Sequence, residues 1–524
     1  MGALTLGRDV VDSNDVAIDV TEGSLNIEGW DDTNSLTLKS LSLASETEFD
    51  LAGNLTTTDG FKANGATIWV GSRTYDENVG FFNRVIGGGY SGDATFIFNV
   101  KLGKTESFGD SLTINGAVAD GSHAGLYVNL VGDNADAVKG LTLLKVKQEE
   151  GESVSESFAT LANKDTVESG GFDWYLRSYV NGEYRDFYLT NEFDESNSDH
   201  KSDPTISVRL GSLAAFAASV DMFDMNIHDR QGTRPWINPV TGEKTMTSLW
   251  MRQTLSKEGN NDSSGQLSGD TQENVTMIGG DILQFSPSGN GLVYAGLMAG
   301  YGDSDYDGSS NRTSDGSKAD TEAWMVGAYA GWNQNDPKVD RSGAYVSGWV
   351  QYAHFKSDIT RTGSRTMEAK AEGISASLEA GWVLKAAEFQ MQGGETKGAF
   401  YVEPHAQVTW WGADYDTIND EDIRFEGQHN ITTRLGARFT METSGATNFS
   451  PYLETNWVHN TKDYGAVWDD VESYVEGAGS QAELKFGAET FFTDSFSGYA
   501  QIRANWGGDG YNRQEGSLGL KYRF

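Results

Sequence analysis

From about residue 245 to its end the chain alternates apolar and polar side chains in twelve runs. They are Thr245–Leu255, Asn274–Phe285, Leu292–Gly302, Glu322–Trp332, Ala344–Phe355, Gly373–Leu384, Phe400–Trp411, Ile431–Met441, Pro451–His459, Ala482–Phe492, Tyr499–Trp506 and Ser517–Phe524. A period of two is the strand period, and each run is near the about 9–11 residues that a tilted strand needs to cross a bilayer. In Tyr401–Trp410, Val402, Pro404, Ala406, Val408 and Trp410 share one face, while Glu403, His405, Gln407 and Thr409 share the other, which would meet a wet lumen. Trp324, Val326, Ala328 and Ala330 likewise oppose Gly327, Tyr329 and Gly331. Pro404 cannot donate to a ladder and predicts a bulge. The gaps after odd-numbered runs are mostly long and polar, as at Gly259–Gly269 and Asp303–Asp320, and those after the second, eighth and tenth are short. Long loops at one end and short turns at the other are what a transmembrane β-barrel requires. The last run puts Leu518, Leu520, Tyr522 and Phe524 on one face, opposite Gly519, Lys521 and Arg523.

Upstream of the alternation the period changes. Val208, Leu210, Leu213, Phe216, Val220 and Phe223 recur at steps of three and four, with Ala214, Ala215, Ala217 and Ala218 between them. This predicts one helix, slim enough for Leu213–Ala218 to thread a narrow lumen. It follows a polar linker at 194–204. Residues 1–105 hold short strand-like runs, among them Ser24–Ile27, Leu36–Leu43, Thr67–Val70 and Thr95–Val100. A repeat of roughly 20–30 residues suits a parallel β-solenoid whose coils bury faces on one another; a β-sandwich would place such runs closer together.

Composition agrees with many strands and tight turns. Glycine is high at 63 residues, proline low at 7, and aromatics make up 11%. Cysteine is absent, which excludes disulfides, thiolate metal sites and cysteine nucleophiles. A net charge of −37 would repel nucleic acid phosphates, so no nucleic acid partner is expected. No apolar stretch reaches the ~20 residues of a spanning helix. Met1 begins no basic, apolar leader, and the expectation is that residue 1 is not the natural start.

Candidate chemistry is sparse. Gly109-Asp110-Ser111-Leu112 and Asp120-Gly-Ser-His123 match elements of GDSL esterases. A nucleophile of that kind needs a strand-to-helix turn and a distant Asp/His pair brought close, whereas here the elements lie nine residues apart in strand-rich sequence. Ser111 reads better as a solenoid turn residue, and a surface esterase stays the alternative function. Asp303-Ser-Asp-Tyr-Asp-Gly308 copies half an EF-hand loop, but Ser314 stands where a bidentate Glu is needed. The seven histidines form no metal-binding pattern. No catalytic, cofactor or metal residue is assigned.

Several stretches resemble a known family in order. Asp224–Arg230, Thr247–Arg252, Gly279-Gly-Asp281, Met298–Gly302, Ala376–Trp382, Glu403–Trp410, Thr433–Gly436, Pro451–Trp457 and the Tyr-Arg-Phe end resemble the β-domain of type V secretion autotransporters. Phe108–Gly116, Leu126–Leu130, Gly140–Val146, Phe172–Leu176 and Tyr184–Leu189 resemble the C-terminal part of a pertactin-like passenger. The resemblance implies an all-β fold: a right-handed parallel β-helix passenger fragment, then a twelve-stranded antiparallel transmembrane barrel with a lumenal helix. It implies four segments: β-helix at 1–105, an autochaperone-like cap at 106–193, linker and pore helix at 194–235, and barrel at 236–524. It implies an outer-membrane protein whose barrel translocates and anchors its own passenger at the cell surface, for adhesion or host interaction and without enzymatic activity. Implied partners are outer-membrane lipid, the barrel-assembly machinery, which would read the Leu518, Leu520, Tyr522, Phe524 face, and surface ligands of the passenger. Some autotransporters cut at an Asn-Asn pair in the lumen helix. Here Asn226 is followed by Ile227, so cleavage by that route is not expected, although Glu379 or Glu403 could serve as a lumen base.

Overall fold

A computed structural model describes residues 2–102, 107–132, 140–149, 153–193, 204–231, 248–285, 291–335, 341–361, 364–390, 397–416, 418, 422–444, 449–493 and 495–523. The chain divides into two compact units, Met1–Ser207 and Val208–Phe524.

The N-terminal unit is built from parallel strands that pair across 19 to 35 residues of chain, since Thr67 partners Glu48 and Thr160 partners Gly125. Side chains therefore stack in register. Leu25, Phe49, Ile68, Phe96 and Leu126 form one apolar ladder through successive pairings. Leu36, Leu55, Ile86, Ile114 and Val146 form another on the second sheet. All ten are essentially buried, and each new strand hides a face that a lone strand would expose. Such coil-to-coil pairing is what a parallel β-solenoid requires. The corners are tight: Gly88 turns at φ +93°, and a Cβ there would meet the Thr57 carbonyl oxygen at 2.2 Å. On the second sheet the parallel order ends at Leu141–Lys147, which pairs antiparallel with Tyr184–Thr190, itself a hairpin partner of Phe172–Asn181.

The second unit is a closed antiparallel barrel of twelve strands, which matches the predicted number. They are β1 (Ser248–Asn261), β2 (Leu267–Phe285), β3 (Leu292–Ser310), β4 (Gly316–Asn333), β5 (Gly343–Arg361), β6 (Met367–Gln390), β7 (Lys397–Tyr415), β8 (Asn430–Ser444), β9 (Phe449–Asn460), β10 (Ser480–Phe491), β11 (Phe496–Trp506) and β12 (Asn512–Arg523). β12 pairs with β1, so the sheet has no edge. The outward face carries exposed Leu249, Met251, Leu378, Leu435, Leu453 and Leu518. Trp324, Trp410, Trp457 and Trp506 lie toward one rim of this apolar band, and Trp332, Trp382, Phe400 and Phe449 toward the other. Aromatic girdles around an apolar band are the signature of a bilayer-spanning barrel. No helix among the described residues is long and apolar enough to cross a membrane, which says nothing of strands.

Four expectations are corrected. The strands run beyond the band: Gly259–Asn261, Leu267–Gly269, Asp303–Ser310 and Gly316–Asp320, read as loops, continue the ladders. Their outward faces are polar and their inward faces mix Leu267, Tyr306 and Ala319 with Ser304 and Ser317, so the band's alternation does not mark them, but backbone pairing and cross-strand contacts such as Lys318–Asp307 at 2.6 Å keep them extended. Pro404 causes no bulge, because the same register holds on either side of it; the shift falls at Lys385/Ala387 instead. The predicted helix is broken: α1 (Arg209–Ala218) passes into a tight turn at Ser219–Asp221, and α2 (Ile227–Gln231) follows after an irregular stretch. Finally, Ser111 opens a strand, Ser111–Asn115, rather than lying in a turn. Phe524 and most of the 194–204 linker fall outside the described residues.

Candidate functional site: the barrel lumen and its plug

The barrel is filled by residues 208–231. At the end that carries the β3–β4 turn, Ser317 Oγ donates to the Val208 carbonyl oxygen at 2.8 Å and lies 2.6 Å from Ser212 Oγ. The small face of α1 allows this approach: a Cβ on Gly211 would meet the Tyr306 hydroxyl at 2.9 Å. Phe216 stacks edge-on against Tyr415 and Phe425, and the Tyr415 hydroxyl donates to the Ala217 carbonyl oxygen at 2.6 Å. Ala214 packs with Val475, Ala478 and Tyr511, with Ala218 beside them. Part of this cover is a small sheet of Ile423–Glu426, Gly465–Trp468 and Val471–Tyr474, formed by the segments after β7 and β9. Thus Leu213 and Ala214–Ala218 lie on one short helix inside the mouth, nearly all buried.

Deeper, residues 222–226 form no regular element before α2 begins, and polar lumen groups hold the backbone. Trp349 Nε1 and Gln407 Nε2 both donate to the Met225 carbonyl oxygen, at 3.0 and 2.9 Å. Arg252 Nη1 donates to the Asp224 carbonyl oxygen at 3.1 Å, and Arg434 Nη2 to Asp224 Oδ2 at 2.8 Å. Asn226 and Asp229 exchange reciprocal backbone-to-side-chain bonds at 3.0 Å. The Ile227 N–H, on the bond after Asn226, donates to Glu379 Oε2 at 2.8 Å, and His228 Nε2 lies 2.6 Å from Glu403 Oε1. Arg230 reaches Ser347 Oγ at 2.7 Å and lies over the Tyr329 ring. The break between α1 and α2 follows: barrel donors take the Asp224 and Met225 carbonyls, which a continuous helix would turn toward its own N–H groups.

Around this segment the inward positions carry a dense ion network. Lys485 Nζ lies 3.6 Å from Glu454, 3.8 Å from Glu483 and 3.9 Å from Asp229. Arg438 meets Glu454 at 3.0 Å, Arg252 meets Glu515 at 3.3 Å, and Arg503 bonds Glu515 as well. These charges are paired several ways, as buried charges must be. Inward parity predicted Glu403, His405, Gln407 and Thr409, and all four are buried. Glu454, Glu483 and Lys485 went unread, although the same alternation in β9 and β10 marks them. Leu518, Leu520 and Tyr522 face outward.

The esterase elements do not assemble. Ser111 Oγ donates to Asn83 Oδ1 at 2.5 Å, and His123 Nε2 pairs with Thr160 Oγ1 at 3.0 Å. Asp110 is fully buried and accepts from the Phe82 and Asn99 amides at 2.9 and 2.8 Å. It fastens neighbouring coils, and burial pushes its carboxyl above the usual range. The EF-hand-like Asp303–Gly308 is part of β3, and the described residues contain no group of three or more acidic or histidine side chains placed to hold a metal.

Comparison with known proteins agrees with this geometry. Residues 249–503 match the autotransporter beta-domain family. The chain is 30% identical over 460 residues to the uncharacterized protein YuaQ of Escherichia coli K12, covering 84% of this chain and 33% of that one. It is 28% identical to YdeU of the same strain, over 83% of this chain and 97% of YdeU. It is 26% identical to the autotransporter adhesin AIDA-I of Escherichia coli, over 80% of this chain and 32% of AIDA-I. It therefore spans about a third of the length of YuaQ and AIDA-I. The crystal structure of the AIDA-I transport unit superposes with a TM-score of 0.54 and 27% identity, over 61% of this chain and all of that one. With its closed twelve-stranded barrel and its family match, the second unit is an autotransporter beta-domain, a barrel of the outer membrane.

Proposed function

We propose that residues 208–524 carry the N-terminal unit across the outer membrane and keep it at the cell surface, where it serves adhesion rather than catalysis. The observation that carries this reading is the threaded segment: residues 208–231 run down the lumen and are bonded to the barrel wall throughout. A chain left in its own pore is what tethered export would produce. Solenoid coils docking outside would bias the passage outward, since each buries apolar surface on the last. The antiparallel end at 141–190 would start that docking, in keeping with a cap over 106–193. The adhesive role rests on the name of one relative, AIDA-I, and on the esterase elements lying apart. The barrel-assembly machinery is the proposed folding partner, with Leu518, Leu520, Tyr522 and Phe524 as its signal.

Protease treatment of intact cells tests the reading. Residues 1–193 should be removed while a barrel fragment survives, and cells so treated should lose attachment to host cells or to one another. A passenger cut only after the outer membrane is opened would overturn surface display. Attachment unchanged by the treatment would overturn adhesion alone.

A further inference from the structure

We infer that the three-stranded sheet over the barrel mouth is a lid that shuts on α1 at the end of export, with the β1–β2 turn as its clasp. The inference rests on the reading that the N-terminal unit passes through this barrel, and it adds what closes the pore afterwards.

The lid cannot stand alone. Its strands, Ile423–Glu426, Gly465–Trp468 and Val471–Tyr474, hold four residues each. A sheet that small needs an apolar surface to pack on before it is stable in water. Ile423, Phe425, Ala466, Val467 and Trp468 are buried, and α1 supplies part of their floor. The Phe425 ring meets that of Phe216 with centroids 5.3 Å apart, and Val475, just past the last lid strand, packs with Ala214. With the lid shut, the cavity lined by Ala215, Ala218, Val475, Ala478 and Tyr511 has a volume of about 30 Å³. That is room for little more than water. A passing chain, alone in the mouth or beside α1, needs far more, so the lid must stand open during passage.

The clasp joins segments about 210 residues apart. Asp262 is buried; its Oδ1 accepts from the Leu267 N–H at 2.9 Å, which shapes the β1–β2 turn, and its Oδ2 accepts from Ser473 Oγ at 3.1 Å. The Ser263 N–H donates to the Tyr474 carbonyl oxygen at 2.9 Å, and the Glu476 N–H to the Asn261 carbonyl oxygen at 3.0 Å. Asp262 thus lies opposite Val475 in an isolated antiparallel bridge. None of the three lid strands belongs to the barrel ladder, so the lid can lift without unzipping the wall, a local opening that costs less than unfolding the barrel.

The chain has no cysteine, so Val475→Cys places a single reporter at a position that is 3% exposed. In the purified, folded full chain its reaction with a bulky maleimide should be slow. Ala214→Gln, which puts an amide into the floor, and Asp262→Ala, which removes the clasp, should each speed it by about tenfold or more, as expected when a buried contact that holds a local opening shut is lost. Heat-modifiability on gels should show the barrel intact. Rates unchanged in both would overturn the lid, and a rise in Asp262→Ala alone would overturn closure on α1. Should Ala214→Gln fail to assemble, a second measurement decides. In cells, Asp262→Cys with Val475→Cys reports when the lid shuts, because opposed residues of an antiparallel bridge lie close enough for a disulfide. Under diamide the bond should form in chains whose N-terminal unit is open to protease, and not in chains halted part-way by a folded domain fused ahead of Met1. A bond in both, or in neither, would overturn the inference. An N-terminal unit absent from the parent's surface would overturn the export reading instead, which protease treatment shows by itself.

Discussion

The two units use the same strand period with opposite sign. In the N-terminal unit the inward positions are apolar: Leu36, Phe49 and Ile68 are fully buried. In the barrel Leu378 is 61% exposed while Glu454 is wholly buried. Alternation therefore tells which residues share a face and not which face is the core; the medium decides that. Water drives apolar side chains onto the next coil. Lipid removes that drive from the barrel's outer wall and leaves polar groups to be satisfied inside.

The strongest way to break the comparison is to make the barrel core resemble the core of the N-terminal unit. Glu454→Ala would leave Arg438 and Lys485 short of a buried carboxylate they share at 3.0 and 3.6 Å. A loss of about 3–5 kcal/mol is expected for stranding a buried charge. Urea unfolding, read by the heat-modifiable shift on gels, should show it. A midpoint equal to that of the parent would mean that the network is not structural.

A smaller effect tests the outer faces. Leu378→Arg places a cation in the middle of the apolar band and should cost about 2–4 kcal/mol, lowering the folded fraction in outer membranes. Val79→Arg, at a site of nearly equal exposure in the N-terminal unit (59%), should stay within about 0.5 kcal/mol. Similar costs at the two sites would deny that the exposed barrel wall meets lipid.

The same contrast explains what could be read from the chain. All twelve strands were legible because lipid and lumen impose alternation, and Val402–Trp410 shows the parity without structure. Strand ends were not, because beyond the band the outward face turns polar and the inward face is mixed, while the backbone ladder and cross-strand partners such as Asp307 and Lys318 carry the strands on. The break after α1 was hidden for a different reason: apolar periodicity continues to Phe223, while the groups that capture the Asp224 and Met225 carbonyls come from β1, β5 and β7. The sheet over the mouth joins strands of four residues separated by nearly forty in the chain, too short to show a period.

The finest prediction concerns pH in the N-terminal unit alone. Asp110 is buried among amide donors, and desolvation outweighs their pull, so its folded pKa lies above the unfolded value of about 3.9. A raised carboxyl favours the protonated folded form. Its contribution is fully present below the unfolded pKa and is lost as pH rises through the folded one. Between pH 4 and neutrality the unit's thermal midpoint should therefore fall. General repulsion in a chain of net charge −37 acts the same way, so the parent curve alone does not isolate Asp110. Asp110→Asn cannot ionise. It should start lower, because one of the Phe82 and Asn99 amides would then face an N–H group, and its midpoint should fall less steeply with pH. Parallel curves by circular dichroism would show that Asp110 ionises normally in the fold.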